Sequence, residues 1–215
     1  MIDVTLSQPW LDVHLPVPHR MLSWSINRPG YTTGRHIVWR EVRNADLPED
    51  LDVHAWFEAE LAESGRSDAL GLITSRAVST FVHSEAVADG VRATAVATVG
   101  LSNAERIGTR MDRNGQSWGT INVAAIVDSP MSDTGLLEAL SIATEARTTA
   151  VIEAGHDLPT GIATGTGTDC LVVAAPSGPN GYAGLHTPVG EALGRAVLTA
   201  VAEGTRHWLA DVAGS

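Results

Sequence analysis

Five short stretches of the 215-residue chain hold residue types that can act on a polar substrate. The most unusual is Ala163-Thr164-Gly165-Thr166-Gly167-Thr168-Asp169, where Gly and Thr alternate just before an apolar run. Glycine packs nothing inside a strand, so the pattern costs stability. It makes sense where backbone must approach a ligand or where N–H groups form an anion nest. The Thr hydroxyls and Asp169 could contact a polar substrate edge; a plain turn or bulge is the alternative. The glycines precede a strand rather than follow one, so this is no dinucleotide fingerprint.

The other four are less distinctive. Gly100-Leu101-Ser102-Asn103-Ala104 follows a strand, where ligands bind in α/β sheets, and Ser102 and Asn103 can hydrogen-bond an amide or simply cap a turn. Gly119-Thr120-Ile121-Asn122 puts an Asn in an apolar strand, where it either satisfies neighbouring backbone or points into a polar site. Glu145 lies in Thr144-Glu145-Ala146-Arg147 and shares a helix face with Glu138, a spacing that on its own favours a solvated face. In Tyr182-Ala183-Gly184-Leu185-His186-Thr187-Pro188-Val189-Gly190-Glu191, His186 sits just before a helix start, where it can titrate near N–H groups, or it is a surface loop histidine. Glu191 could merely complement the helix dipole.

Elements that would position these stretches follow from hydropathy. Residues 1–35 read as irregular, punctuated by Pro9, Pro16, Pro18 and Pro29, with Trp10, Trp24 and Tyr31 as a lid or pocket mouth. Strands are predicted over 36–42, 70–74, 91–99, 119–127 and 170–175, with 119–127 central because it is nearly all apolar. Helices are predicted over 53–64, 136–154 and 188–209, the last with Thr187 as N-cap and Pro188 in its first turn. Residues 76–88 suit either a helix turn or a strand. The expected fold is one α/β domain spanning 1–215, a mixed sheet with packed helices and no derivable strand order.

Composition narrows the chemistry. The chain carries 14 basic and 25 acidic residues, a net charge of −11, and all 14 basic residues are Arg. No nucleic-acid or membrane partner is expected of such a chain, and without Lys there is no Schiff-base or P-loop chemistry. One cysteine, Cys170, cannot form an intramolecular disulfide and reads as a core residue. No run spans a bilayer, Met1–Trp10 lacks a signal-peptide pattern, and a cytoplasmic protein is expected. No metal spacing is present; the metal stays unknown, with a dispersed set from His186, Glu145 and Asp169 open. No cofactor is expected, and a homo-oligomer is possible on sequence grounds.

The five stretches in this order (VGLSNA at 99–104, GTIN at 119–122, TEAR at 144–147, ATGTGTDCLVV at 163–173 and YAGLHTPVGEALG at 182–194) resemble the adenosylcobinamide amidohydrolase family of corrinoid salvage, over about 70–201. The resemblance implies hydrolysis of the amide joining the corrin propionate side chain to aminopropanol, yielding adenosylcobyric acid. Gly-rich backbone, Asn and Thr suit the amide-rich rim of a corrin, and Trp suits its face. A corrinoid- or nucleotide-binding module without chemistry is the alternative. Convergence of Glu145, Asp169, His186 and Glu191 in one pocket separates the two.

For an amidohydrolase the expected mechanism is attack by activated water. Glu145 or Asp169 is its base and His186 its acid, with an oxyanion hole from Gly165–Thr168 N–H groups and Asn103 or Asn122. Thr168 or Thr166 as nucleophile is the alternative. Ser102, Asn103, Thr120, Asn122, Gly165, Thr166, Gly167, Tyr182 and Glu191 complete the expected substrate-binding set. Gly-Thr pairs ending at Thr120, Thr166 and Thr168 resemble cleavage points of hydrolases with an N-terminal Thr nucleophile, but an uncut chain is expected.

Overall fold

The computed structural model describes residues 2–48, 50–112 and 118–214. Among these, the strands are β1 (Asp3–Ser7), β2 (Trp10–Ser23), β3 (Gly30–Glu41), β4 (Leu70–Thr74), β5 (Val82–Ala88), β6 (Val91–Val99), β7 (Ala104–Glu105), β8 (Ile121–Val127), β9 (Asp157–Leu158), β10 (Gly161–Ile162), β11 (Gly165–Thr166) and β12 (Cys170–Ala175). The helices are α1 (Val53–Glu63), α2 (Asp133–Glu153) and α3 (Pro188–Ala213). The large strands make one mixed sheet in the order β4-β3-β2-β12-β8-β6-β5, with β1 added on β2. The parallel pairs are β3 with β4 and β12 with β8; the other pairs are antiparallel.

Alternation along the strands divides the core. Ile121, Val123 and Ala125 of β8 and Leu171 and Val173 of β12 face α2 and α3. Ala124, Ile126, Val172 and Ala174 face the other way, onto Leu11, Val13, Ile37, Trp39, Leu70 and Leu72. The sheet therefore folds over on itself, the β2–β3–β4 half lying against the β12–β8–β6 half. Trp10, Val38 and Ala69 on the outer side of that half pack on Phe57 and Leu61 of α1. The result is helices, two sheet layers and a helix, a single α/β domain as expected. β8 is fully buried between β12 and β6, the environment its all-apolar sequence demands.

The fold-over happens in β2. Its pairing with β3 shifts between His14 and His19, so Pro16 and Pro18 sit where the ladder is interrupted and no N–H is missed. The N-terminal region is thus strand, not the irregular lid its prolines predict. Residues 76–88 resolve into a short 3-10 turn (Val78–Thr80) and β5. The helices begin at side-chain caps: Asp52 accepts from Ala55 N, Ser132 from Gly135 N and Thr187 from Gly190 N, each satisfying a donor the helix cannot.

The folded half is locked by a buried carboxylate. Asp12 accepts from His36 Nε2 at 2.8 Å and from Arg66 Nε and Nη2 at 2.7 and 2.8 Å. Burial alone raises the Asp12 carboxyl, but the hydrogen bonds from His36 and Arg66 outweigh it and hold it well below the usual carboxylate range. A depressed carboxyl adds stability above its unfolded value, about 3.9, and that stability is lost as pH falls toward the folded value. Asp12→Asn is expected to lower the melting temperature at pH 6 and to flatten its decline below about pH 4, as thermal melts across pH will show.

Candidate active site

Where β8 and β12 begin, side by side and parallel, they face the ends of β3 and β4 across the two layers. A cavity of about 430 Å³ lies there, reached by Trp24–Ile26, Val42, Arg43, Leu47, Gly71–Ile73, Ser75, Trp118–Thr120, Asn122 and Gly167–Cys170. Trp24 and Trp118 are about half exposed at its mouth. The Trp24 indole donates to Asp169 O at 2.8 Å, and Ser75 Oγ donates to Trp118 O at 2.9 Å.

The Thr120 and Thr168 hydroxyls and the Asn122 carboxamide line its floor, and the Asn103 carboxamide backs Thr168 from behind. Thr168 Oγ1 donates to Gly119 O at 2.8 Å and accepts from Asn103 Nδ2 at 3.3 Å. Thr120 Oγ1 lies 2.8 Å from Thr168 O and 3.2 Å from Asn122 Oδ1, both acceptors. Asn122, 1% exposed, donates to Ile73 O at 2.7 Å, so it both satisfies backbone and ties the two layers at the cavity. Asn103 is 4% exposed, and its buried Oδ1 has no hydrogen-bond partner among the described residues, a costly arrangement outside a site.

Asp169 holds this floor together. Its carboxylate accepts from Ile121 N at 3.0 Å, Thr166 N at 3.0 Å and Thr166 Oγ1 at 2.5 Å, and pairs with Arg147 Nη1 at 2.8 Å. Burial pushes the Asp169 carboxyl up, opposed by Arg147 and the Thr166 and Ile121 donors. Arg147 also donates to Thr164 O at 3.0 Å. Gly165 makes room: a Cβ there would overlap the Arg147 guanidinium and sit 2.6 Å from Asp169 Oδ2. Gly165→Ala is expected to cost about 1–3 kcal/mol, measured by urea unfolding.

The remaining cavity group that titrates near the floor is Cys170. Burial pushes its thiol up to about 11, against a weak lowering by the Ser23 hydroxyl 3.7 Å away. A protonated thiol is a poor nucleophile. Alkylation by iodoacetamide at pH 7.5 is expected to be slow and to accelerate only as pH approaches that value, followed by mass increase.

Four of the five sequence stretches thus come together: Asn103, Thr120 with Asn122, Arg147, and Gly165–Asp169. Ser102 lies beside them, its N 2.6 Å from where a Gly119 Cβ would be. The fifth stretch follows the other end of β12 and packs at the start of α2, where Ala183 N donates to Glu138 Oε2 at 2.6 Å and Ser132 N to Asn180 O. There His186 and Tyr182 are exposed, and Glu191 is exposed and pairs with Arg195. Glu145 is exposed on α2 and accepts from Ser141 Oγ. Glu145, Asp169, His186 and Glu191 therefore do not share a pocket, and His186, Glu145 and Asp169 do not form a metal site.

Among the described residues, a His/Asp group close enough to share an ion is Asp12, His14 and His36. It lies outside the cavity, and its Asp12 is already held by Arg66. Arg147 and Trp118 are site residues that motif reasoning gave no role, whereas Trp24 lies at a pocket mouth, one of the two places expected for it. Arg147 was legible within TEAR, and Trp24 within the aromatic N-terminal segment.

Comparison with known proteins agrees with the motifs. A curated relative, the adenosylcobinamide amidohydrolase of Methanosarcina mazei, is 31% identical over 122 residues, 52% of this chain and 55% of that one; the match spans about half the relative's length. Two solved structures are similar. A Burkholderia sp. beta-aminopeptidase is 13% identical with TM-score 0.41, covering 91% of this chain and 78% of that one. The l-aminopeptidase d-ala-esterase/amidase of Ochrobactrum anthropi is 12% identical with TM-score 0.40, covering 95% and 82%. Likeness this low says nothing of the chemistry here. No helix among the described residues is long and apolar enough to cross a membrane. The profile of the adenosylcobinamide amidohydrolase family matches residues 2–213, taking in the N-terminal strands that the motifs leave out, and the chain belongs to that family.

Proposed function

We propose that the chain hydrolyses the amide between the corrin propionate side chain and aminopropanol in adenosylcobinamide, releasing adenosylcobyric acid and aminopropanol in cobalamin salvage. The observation that carries this reading is the cavity floor, where the Thr120 and Thr168 hydroxyls and the Asn122 carboxamide lie under an aromatic mouth, with Asn103 behind Thr168. A corrin exceeds 430 Å³, so the amide side chain enters while the ring lies across Trp24 and Trp118.

Thr120 is the nucleophile in this reading. The Thr166 hydroxyl is donated to the Asp169 carboxylate and that of Thr168 to Gly119 O, while the Thr120 hydroxyl is oriented by two hydrogen-bond acceptors, Thr168 O and Asn122 Oδ1, and passes its proton to the leaving nitrogen during attack. Attack forms a bond from Thr120 Oγ1 to the substrate carbonyl carbon. The Thr168 hydroxyl, backed by Asn103 Nδ2, is the donor this reading gives to the developing oxyanion. The C–N bond breaks, the amine leaves with a proton, and water hydrolyses the ester. Asp169, with four donors on its carboxylate, positions Thr168 and Ile121. Activated water remains the rival, but it needs a free base at the floor.

A second reading, corrinoid binding without chemistry, is favoured by one observation: Glu145, His186 and Glu191 lie away from Asp169. Incubation with adenosylcobinamide separates the two. Aminopropanol and adenosylcobyric acid detected by mass spectrometry in equal amounts support hydrolysis; tight binding of the unaltered corrinoid supports the binder.

A further inference from the structure

We infer that the Gly119–Thr120 peptide bond is a self-cleavage site, cut by the Thr120 hydroxyl, whose cleavage places the Thr120 α-amine on the cavity floor as the base for amide hydrolysis. The use of that amine rests on the reading of this cavity as the hydrolytic site; the cleavage itself is argued from the bond's own surroundings.

The bond is held as a substrate would be. Its carbonyl oxygen, Gly119 O, accepts from Thr168 Oγ1 at 2.8 Å, and Asn103 Nδ2 donates to that same hydroxyl at 3.3 Å. This relay polarises the carbonyl and stabilises the charge that attack would put on its oxygen. The next carbonyl, Thr120 O, accepts from Gly100 N at 2.9 Å, clamping the other side of the residue. Only glycine fits at 119, since a Cβ would stand 2.6 Å from Ser102 N and 2.8 Å from Gly100 O. Thr120 is 5% exposed, yet it borders the cavity, and its hydroxyl is oriented by two hydrogen-bond acceptors, Asn122 Oδ1 and Thr168 O, within 3.2 Å.

Among the described residues lining the uncut cavity, no titratable side chain stands free to act as a base. The cavity's described titratable side chains are Arg43, Asp169 and Cys170. Arg stays protonated, Asp169 carries four donors, and the Cys170 thiol is held protonated by burial. A freed α-amine, ordinarily near pKa 7.7–8.0, is partly neutral at physiological pH and lies on the same residue as the nucleophilic oxygen.

The step balances as an N-to-O acyl shift followed by hydrolysis. Thr120 Oγ1 bonds to the Gly119 carbonyl carbon, giving a tetrahedral centre whose oxygen is held by Thr168. The hydroxyl proton passes to the Thr120 nitrogen, the C–N bond breaks, and an ester joins Gly119 to Thr120. One water then adds to that ester, freeing the Gly119 carboxylate and returning a proton to Thr120 Oγ1. No oxidant or reductant is involved. This reverses the expectation of an uncut chain; the reason is the donor on Gly119 O, which the sequence does not reveal.

Intact mass and N-terminal sequencing of the purified full chain, followed over time at neutral pH, test the inference. Two co-purifying fragments are expected, their masses summing to the chain plus one water and the second starting Thr-Ile-Asn-Val. Thr120→Val is expected to stay uncut while folded by circular dichroism. Thr120→Ser is expected to cut, and Thr168→Val to cut about 10²-fold more slowly. These last two keep the test decisive if the valine variant at 120 fails to fold. A wild-type chain that stays uncut, cleavage at another bond such as Gly167–Thr168, or cutting by Thr120→Val overturns the inference. An uncut chain that hydrolyses adenosylcobinamide would leave the proposed function standing. A chain that cuts but leaves adenosylcobinamide intact would overturn that function alone.

Discussion

Thr120→Val is expected to lower turnover of adenosylcobinamide by about 10⁴-fold or more, the scale of losing a nucleophile outright, with corrinoid binding changed only a few-fold. Valine keeps the shape and removes the hydroxyl. The lost bond to Thr168 O costs about 1 kcal/mol, too little to unfold a domain of this size, so the effect falls on kcat. Thr120→Ser keeps the oxygen and is expected to keep measurable turnover. Product release under saturating substrate measures both. A valine variant within tenfold of wild type would remove Thr120 from the chemistry.

Asp169→Ala is expected to be the most destabilising single change in the cavity, by about 3–5 kcal/mol. The change leaves the Arg147 guanidinium, 12% exposed in its side chain, without its carboxylate, and orphans the donors of Ile121 and Thr166. For a chain of this length such a loss lowers the melting temperature on the order of 10 °C. Turnover falls with it, because Thr168 is carried on the turn that Asp169 closes. Removing both charges, as Asp169→Leu with Arg147→Met, is expected to destabilise less than Asp169→Ala alone, since no unpaired ion stays buried. Urea unfolding of the single and double variants reads the coupling directly.

The parts of the fold legible in sequence are those whose burial pattern is local. β8 and β12 announce themselves by continuous apolar runs, and α3 by its Thr187-Pro188 start and inward Val189, Leu193 and Val197. β2 does not. Pro16 and Pro18 read as breakers, and only the pairing shift between His14 and His19 shows that they interrupt a ladder without ending a strand. That shift depends on β3, more than ten residues away, and on the fold-over of the sheet, which no local pattern encodes.

The site divides in the same way. Gly119–Asn122 and Gly165–Asp169 are visible as polar and glycine residues placed against apolar strands, and the parallel pairing of β8 with β12 sets Asn122 beside Cys170. Arg147 is two residues from Glu145 in the same motif. Two residues turn a helix by about 200°, so one faces the sheet and the other solvent; which of them faces the sheet depends on how α2 is rolled onto β12. His186 sits beyond the far end of β12, where Glu138 Oε2 and the Thr187 cap organise its loop.

The most direct test of the account is a single-turnover experiment: excess protein mixed with adenosylcobinamide, quenched in acid within the first turnover, digested, and read by peptide mass spectrometry. The predicted result is a transient adenosylcobyric acyl ester on Thr120, absent from Thr120→Val. An ester on Thr166 or Thr168, or complete hydrolysis with no acylated peptide at any quench time, would contradict it.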